Sequence, residues 1–157
     1  MRKILLASAA VALMFTACKK KDDNGTGNGL GKNQFKIGGT TYNAMAVTGM
    51  GGILAGSGNN GVSDVAGFSI YFDNNALPTA DGSYKIVDVA NDPNELAISV
   101  SITSNGNSQA WGSSASGNPD ATVKIEGGKV TVSIPEIAVT GVSSGTTTFS
   151  GNLTQTL

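Results

Sequence analysis

The side chains that most often carry out chemistry in proteins are scarce in this chain. Histidine is absent, and Cys18 is the sole cysteine. The sequence therefore contains no Ser-His or Cys-His nucleophile, it lacks the commonest metal ligand, and it can form no intramolecular disulfide. We expect no catalytic residue, no cofactor and no metal site, and this composition favours a protein that is not an enzyme.

Two glycine motifs match known signatures but lack the context that those signatures require. Gly56, Gly58 and Gly61 have the G-x-G-x-x-G spacing of a dinucleotide-binding loop, which works only where a helix N-terminus meets the pyrophosphate. A further strand is predicted from Gly67 onward, so we interpret the three glycines as a flexible hairpin loop. Residues 141–145 (GVSSG) match a nucleophile elbow, which needs a strand-turn-helix setting and a histidine base. We expect a turn between two strands there.

Trp111 is the single residue that most suggests a ligand. It lies among small polar residues, with Asn107 and Gln109 close by in sequence. An exposed tryptophan beside amide side chains can stack a sugar ring, whereas a lone tryptophan in a β-protein more often fills one end of the core. The sequence leaves both interpretations open, and Trp111, Asn107 and Gln109 form the candidate ligand-binding set.

The N-terminus has the pattern of an export signal. Arg2 and Lys3 precede an apolar run over residues 4–15, and small residues lead up to Cys18. A helix of that length spans about 18 Å, which is well short of the roughly 30 Å hydrocarbon core of a bilayer. The pattern therefore predicts a signal peptide over residues 1–17 and not a transmembrane helix.

Residues 15–18 (FTAC) resemble the lipobox of bacterial lipoproteins, in which the first position is usually leucine. The resemblance implies that Cys18 receives a diacylglycerol, that the leader is removed, and that the acyl chains hold the protein on a membrane. Residues 19–23 (KKKDD) resemble the surface-export signal of Bacteroidota lipoproteins. We therefore expect anchoring in the outer membrane with the domain on the cell surface, and residues 18–32 as the lipidated cysteine and its flexible Gly/Asn linker.

The remaining chain is acidic and has room for one domain, residues 33–157. Four lysines oppose nine aspartates and glutamates over these residues, and four minus nine gives a net charge of −5. An acidic domain repels a phosphate backbone, so we expect no nucleic-acid partner. The partners that remain are the membrane, through the lipid on Cys18, and a surface glycan or another envelope protein.

Short strands with glycine or asparagine turns account for the domain. Residues 95–103 alternate strictly between apolar and polar side chains, and two alternating runs flank Gly127-Gly128, which predicts a hairpin. At Pro135 the apolar parity shifts by one residue, which predicts a bulge or a switch between sheets. Nine or so such strands favour an all-β fold, an antiparallel β-sandwich, with an open β-barrel as the alternative.

The whole plan resembles small Bacteroidota lipoproteins of uncharacterised function that have a single β-sandwich domain. The resemblance is carried by the lipobox, the linker, an opening hairpin (FKIGGTTYNA) and a closing pair (KIEGGKVTVSIPEIAV and TTTFSGNL). It implies a lipid-anchored envelope protein with a structural or interaction role, and it carries no catalytic residue to this chain. The alternative function is an accessory glycan-binding module on the cell surface.

Overall fold

A computed structural model describes residues 29–61 and 64–156 of the chain. The predicted signal peptide and Cys18 lie outside these residues, so the expectations about them remain predictions. The described part contains ten β-strands and one short 3-10 turn, η1 (Asp73–Asn75). The strands are β1 (Gln34–Ile37), β2 (Thr40–Met50), β3 (Ile53–Asn59), β4 (Val65–Phe72), β5 (Gly82–Val87), β6 (Glu95–Ser104), β7 (Asn107–Ser113), β8 (Ala121–Glu126), β9 (Lys129–Gly141) and β10 (Gly145–Thr154).

Three hairpins are closed by pairs of glycines, and these turns explain the local order of the strands. Gly38-Gly39, Gly51-Gly52 and Gly127-Gly128 join β1 to β2, β2 to β3 and β8 to β9. Both glycines of each pair have positive φ, as the two-residue turn that matches the twist of a hairpin requires. The hairpin predicted around Gly127-Gly128 is confirmed by the pairing of Glu126 with Lys129.

The fold is all-β and sandwich-like, as predicted, and its strands are joined in one ten-stranded sheet. The order is β10-β1-β2-β3-β4-β6-β5-β8-β9-β7, with further pairings of β10 with β9 and of β6 with β7. Ten of the eleven strand pairs are antiparallel, as expected, but β5 and β6 run parallel. The sheet is therefore mixed and not wholly antiparallel, because the chain between β5 and β6 crosses over before it returns.

The shift of apolar parity at Pro135 arises from a β-bulge, which is one of the two explanations that the sequence predicted. Ile134 pairs with Gly151 and Ile137 with Phe149, so Pro135 and Glu136 of β9 together oppose the single residue Ser150 of β10. On its other side, β9 pairs with β8 before the bulge and with β7 after it. The strand therefore changes its neighbour near the point where the bulge bends it.

A second change of neighbour occurs on β6, which pairs with β5 over its first residues and with β7 over the rest. Ser113, at the end of β7, lies at the junction and is buried. Its hydroxyl oxygen accepts a hydrogen bond from the Ile98 amide at 2.9 Å and donates one to the Val87 carbonyl. This side chain connects three strands where the backbone ladder is interrupted.

Inward-facing side chains from all ten strands form a single apolar core. At one place Phe35 stacks on Tyr42, with ring centroids 5.4 Å apart, and meets the edge of Phe68 at 5.2 Å. Burial of aromatic rings of this size contributes much of the hydrophobic stabilisation of a small domain. No described segment forms a helix long and apolar enough to cross a lipid bilayer.

Candidate functional site

Trp111 is buried, so it does not form the sugar-stacking site that its sequence neighbours suggested. The side chain is 6 % exposed, and its indole Nε1–H donates to the Ser144 carbonyl at 3.2 Å. Asn107 and Gln109 are exposed on the same strand. The structure therefore leaves the two amides without an accessible aromatic face beside them, and Trp111 has the core-filling role that is commoner for a lone tryptophan.

The glycines of the G-x-G-x-x-G motif do not form the hairpin loop that we expected. Gly56 and Gly58 lie inside β3, and only Gly61 follows the strand. A Cβ on Gly56 would come within 2.4 Å of the Ala46 carbonyl oxygen, and one on Gly58 would come equally close to the Asn43 carbonyl oxygen. The motif is therefore a packing requirement between β2 and β3. The second motif, residues 141–145, is the predicted turn, between β9 and β10.

The most distinctive surface is the outward-facing side of β2, β3, β4, β6 and β7, which we call the groove face. The strand registers align two rows of small side chains across all five strands. One row is Thr48, Ala55, Ser69, Ser99 and Gly112, and the other is Ala46, Ser57, Gly67, Ser101 and Ala110. All of them except Gly112 and Ala110 line a groove of about 450 Å³.

Large apolar side chains stand at both ends of this groove. Met50, Ile53 and Tyr71 are aligned across β2, β3 and β4 at one end, and Met45 and Val65 lie at the other. Five of the seven exposed large hydrophobic residues of the described chain are therefore on this face, and the other two are Val89 and Val142. Met50, Ile53 and Tyr71 are contiguous, and an exposed apolar cluster of this kind commonly marks a site of interaction.

The strands of the groove face are almost free of charge. β2, β3, β4 and β7 contain no Asp, Glu, Lys or Arg, and β6 contains only Glu95, at its first position. Charged side chains instead occur on β1, β5, β8 and β9. The domain thus has one neutral side and one charged side, and a partner of the neutral side needs no charge of its own.

Gly112 of the groove face has no intramolecular reason to be glycine. A Cβ on Gly112 would meet nothing closer than the Ile98 carbonyl oxygen at 3.7 Å, whereas one on Gly67 would crowd the Ser101 hydroxyl at 3.3 Å. Neither has a positive φ. Glycine weakens a strand, and in a strand interior it often marks a place where another molecule or backbone approaches closely.

The groove offers hydrogen-bonding hydroxyls and contact surface but no acid-base chemistry. Its lining residues include no titratable side chain, and the described residues contain no cluster of three His, Cys, Asp or Glu side chains that could hold a metal ion. Two tyrosines outside the groove have raised pKa values. Burial, with a smaller contribution from the nearby Asp64 carboxylate, raises the pKa of Tyr42, and burial alone raises the pKa of Tyr84.

Comparisons with known proteins give no relative for this chain. No family model matches it, and no curated protein and no solved structure is significantly similar to it.

Proposed function

We propose that this protein is a lipid-anchored, non-enzymatic component of the bacterial cell envelope, and that it acts through the groove face. The observation that carries the proposal is the concentration of five exposed large apolar side chains on one uncharged sheet face. A monomer that works alone gains nothing from this arrangement, since exposed apolar patches favour association. The interaction role therefore needs a partner that covers the face.

The anchor is proposed from the sequence. The apolar run of residues 4–15 and the small residues before Cys18 support removal of a leader and lipidation of the thiol. Two or more acyl chains hold a protein firmly at a bilayer, whereas one chain holds it only marginally. Residues 19–23 support export to the outer surface of the outer membrane, with the Gly/Asn-rich residues before Leu30 as the spacer, since Leu30 itself is buried.

The anchor is tested by mass spectrometry of the protein isolated from native membranes. We expect the leader to be absent and the mass of the N-terminal peptide to include acyl chains, and we expect Cys18→Ser to release the protein from the membrane fraction. A bare thiol together with an intact leader would refute the anchor. Added protease should degrade the domain on intact cells, and its protection there would refute surface display.

The interaction role is tested by accessibility in intact envelopes. Ser57→Cys places a thiol on the groove face, and Thr122→Cys places one on an exposed position of β8 as the control. An impermeant maleimide should label both variants equally after purification in detergent, but it should label the Ser57 variant much less in the envelope. Equal labelling of the two thiols in the envelope would show an uncovered face and would contradict the proposal.

A glycan-binding module is the second candidate function. The hydroxyls of Ser69, Ser99 and Ser101 in the groove, and the half-exposed ring of Tyr71 at its end, favour it. An aromatic ring beside polar groups is a common way to hold a sugar. Binding on a glycan array that is lost in Tyr71→Ala and kept in Trp111→Phe would support this candidate.

A further inference from the structure

We propose that the groove face binds a second copy of the same chain and forms a two-fold symmetric dimer on the membrane. The inference rests on the proposed function, because the anchor supplies the concentration that the dimer needs. Three properties of the face favour this occupant over others: its charge, its shape and its area.

The lack of charge on the strands of the groove face allows this face to meet a second copy of itself. The charges carried by strands lie on β1, β5, β8 and β9, apart from Glu95 at the first position of β6. In a symmetric dimer the same patch meets itself, and a patch without charge does so without electrostatic repulsion.

The shape of the face is complementary to itself. Large side chains project at Met50, Ile53 and Tyr71, and the adjacent rows across the same strands are small. A two-fold axis that crosses the strands near this end lays the projecting row of each copy over the small rows of the other. Gly112 then has the reason for being glycine that the isolated chain does not supply, because it admits a partner backbone.

The area of the face fits a weak dimer. Five strands at a spacing of roughly 4.8 Å, each about eight residues long at 3.3 Å per residue, cover roughly 600 Å² in each copy. A stable complex usually buries about 800 Å² in each partner, so this contact is at the low end of the range. Restriction of both copies to one membrane raises their effective concentration and favours a contact of this strength.

The test uses the full-length protein in its native membrane and a short bis-maleimide cross-linker. Ser57→Cys and Ser99→Cys place single thiols in the groove, and Thr122→Cys is the control on β8. We expect a covalent dimer on reducing gels for the two groove variants, several-fold more abundant than for the control. Absence of dimer in both groove variants would overturn the inference.

A second pair of variants separates the groove face from unspecific apolar contact. Ile53→Lys, added to the Ser99→Cys background, introduces a charge on the face, whereas Val89→Lys introduces one at an exposed apolar residue outside it. We expect the first to abolish the covalent dimer and the second to leave it unchanged, with equal melting temperatures as the check on folding. Equal loss in both, or no loss in either, would overturn the inference.

The outcomes also separate this inference from the proposed function. The protein without an introduced cysteine is the control for Cys18. A covalent dimer in that sample would show that the Cys18 thiol is free, which would contradict the lipid anchor but not the interaction through the groove face. A groove face that is protected in the envelope but yields no covalent dimer of this chain overturns self-association and leaves the interaction role standing.

Discussion

Replacement of Ser113 by alanine should destabilise the fold far more than the loss of one hydroxyl suggests. Ser113 is buried at the junction where β6 changes its partner from β5 to β7. Its hydroxyl accepts from the Ile98 amide and donates to the Val87 carbonyl. Alanine removes both bonds and offers no replacement, so the buried Ile98 N–H loses this acceptor.

The magnitude follows from the cost of polar groups that are buried without a partner. An ordinary hydrogen bond contributes about 1 kcal/mol net, whereas a buried donor left without an acceptor costs about 1–3 kcal/mol. Loss of both bonds of Ser113 should therefore lower the free energy of unfolding by about 2–4 kcal/mol. With a urea m-value of about 2 kcal/mol/M, in the middle of the range for small proteins, the unfolding midpoint falls by roughly 1–2 M.

Urea unfolding monitored by Trp111 fluorescence measures this change directly. The matched control is Ser114→Ala, since the exposed Ser114 hydroxyl makes only long hydrogen bonds: it donates to the Ser116 carbonyl at 3.3 Å and accepts from Asn118 Nδ2 at 3.5 Å. Exposed substitutions of this kind usually change stability by less than about 0.5 kcal/mol. If Ser113→Ala and Ser114→Ala had the same midpoint, the hydroxyl of Ser113 would not be the connection between the three strands.

Three further predictions concern packing, pH and the aromatic residue. Gly56→Ala should destabilise the protein by about 1–3 kcal/mol through overpacking. Gly112→Ala should be neutral in the same urea titration, because its Cβ meets no atom closer than 3.7 Å. Equal effects of the two substitutions would contradict the contacts of β3. Burial raises the pKa of Tyr42, so the folded state holds the phenolic proton of Tyr42 more tightly than the unfolded state does. The free energy of unfolding is therefore retained below a pH of about 10 and falls as the pH rises beyond it. Tyr42→Phe should show a smaller fall between neutral and alkaline pH, and an unchanged fall would exclude this tyrosine as its source. Acrylamide should quench the fluorescence of Trp111 much less in the folded protein than in urea, and equal quenching would show that the indole is accessible.

The sequence alone determined several of the strands and turns, although it placed Gly56 and Gly58 in a loop and the structure has them inside β3. Strict alternation over residues 95–103 gave the buried face of β6, and the glycine pair at residues 127–128 predicted the hairpin between β8 and β9. The parity shift at Pro135 located the bulge of β9. These features are local, because the side chains of a strand alternate with a period of two and paired glycines adopt the positive φ that a tight turn needs. The absence of histidine likewise limits the available chemistry without any knowledge of the fold.

Only the tertiary structure decided which strands are neighbours, and with that the groove face. Alternation identifies the outward residues of a strand, but it does not say which residues of a distant strand lie beside them. Ser57, Gly67 and Ser101 are ordinary small residues in the sequence, and they form one row because β3, β4 and β6 pair in one particular register. The same long-range pairing makes β5 and β6 parallel and encloses Trp111 in the core. Pairing between distant segments depends on how the whole core packs, which no local pattern in the chain records.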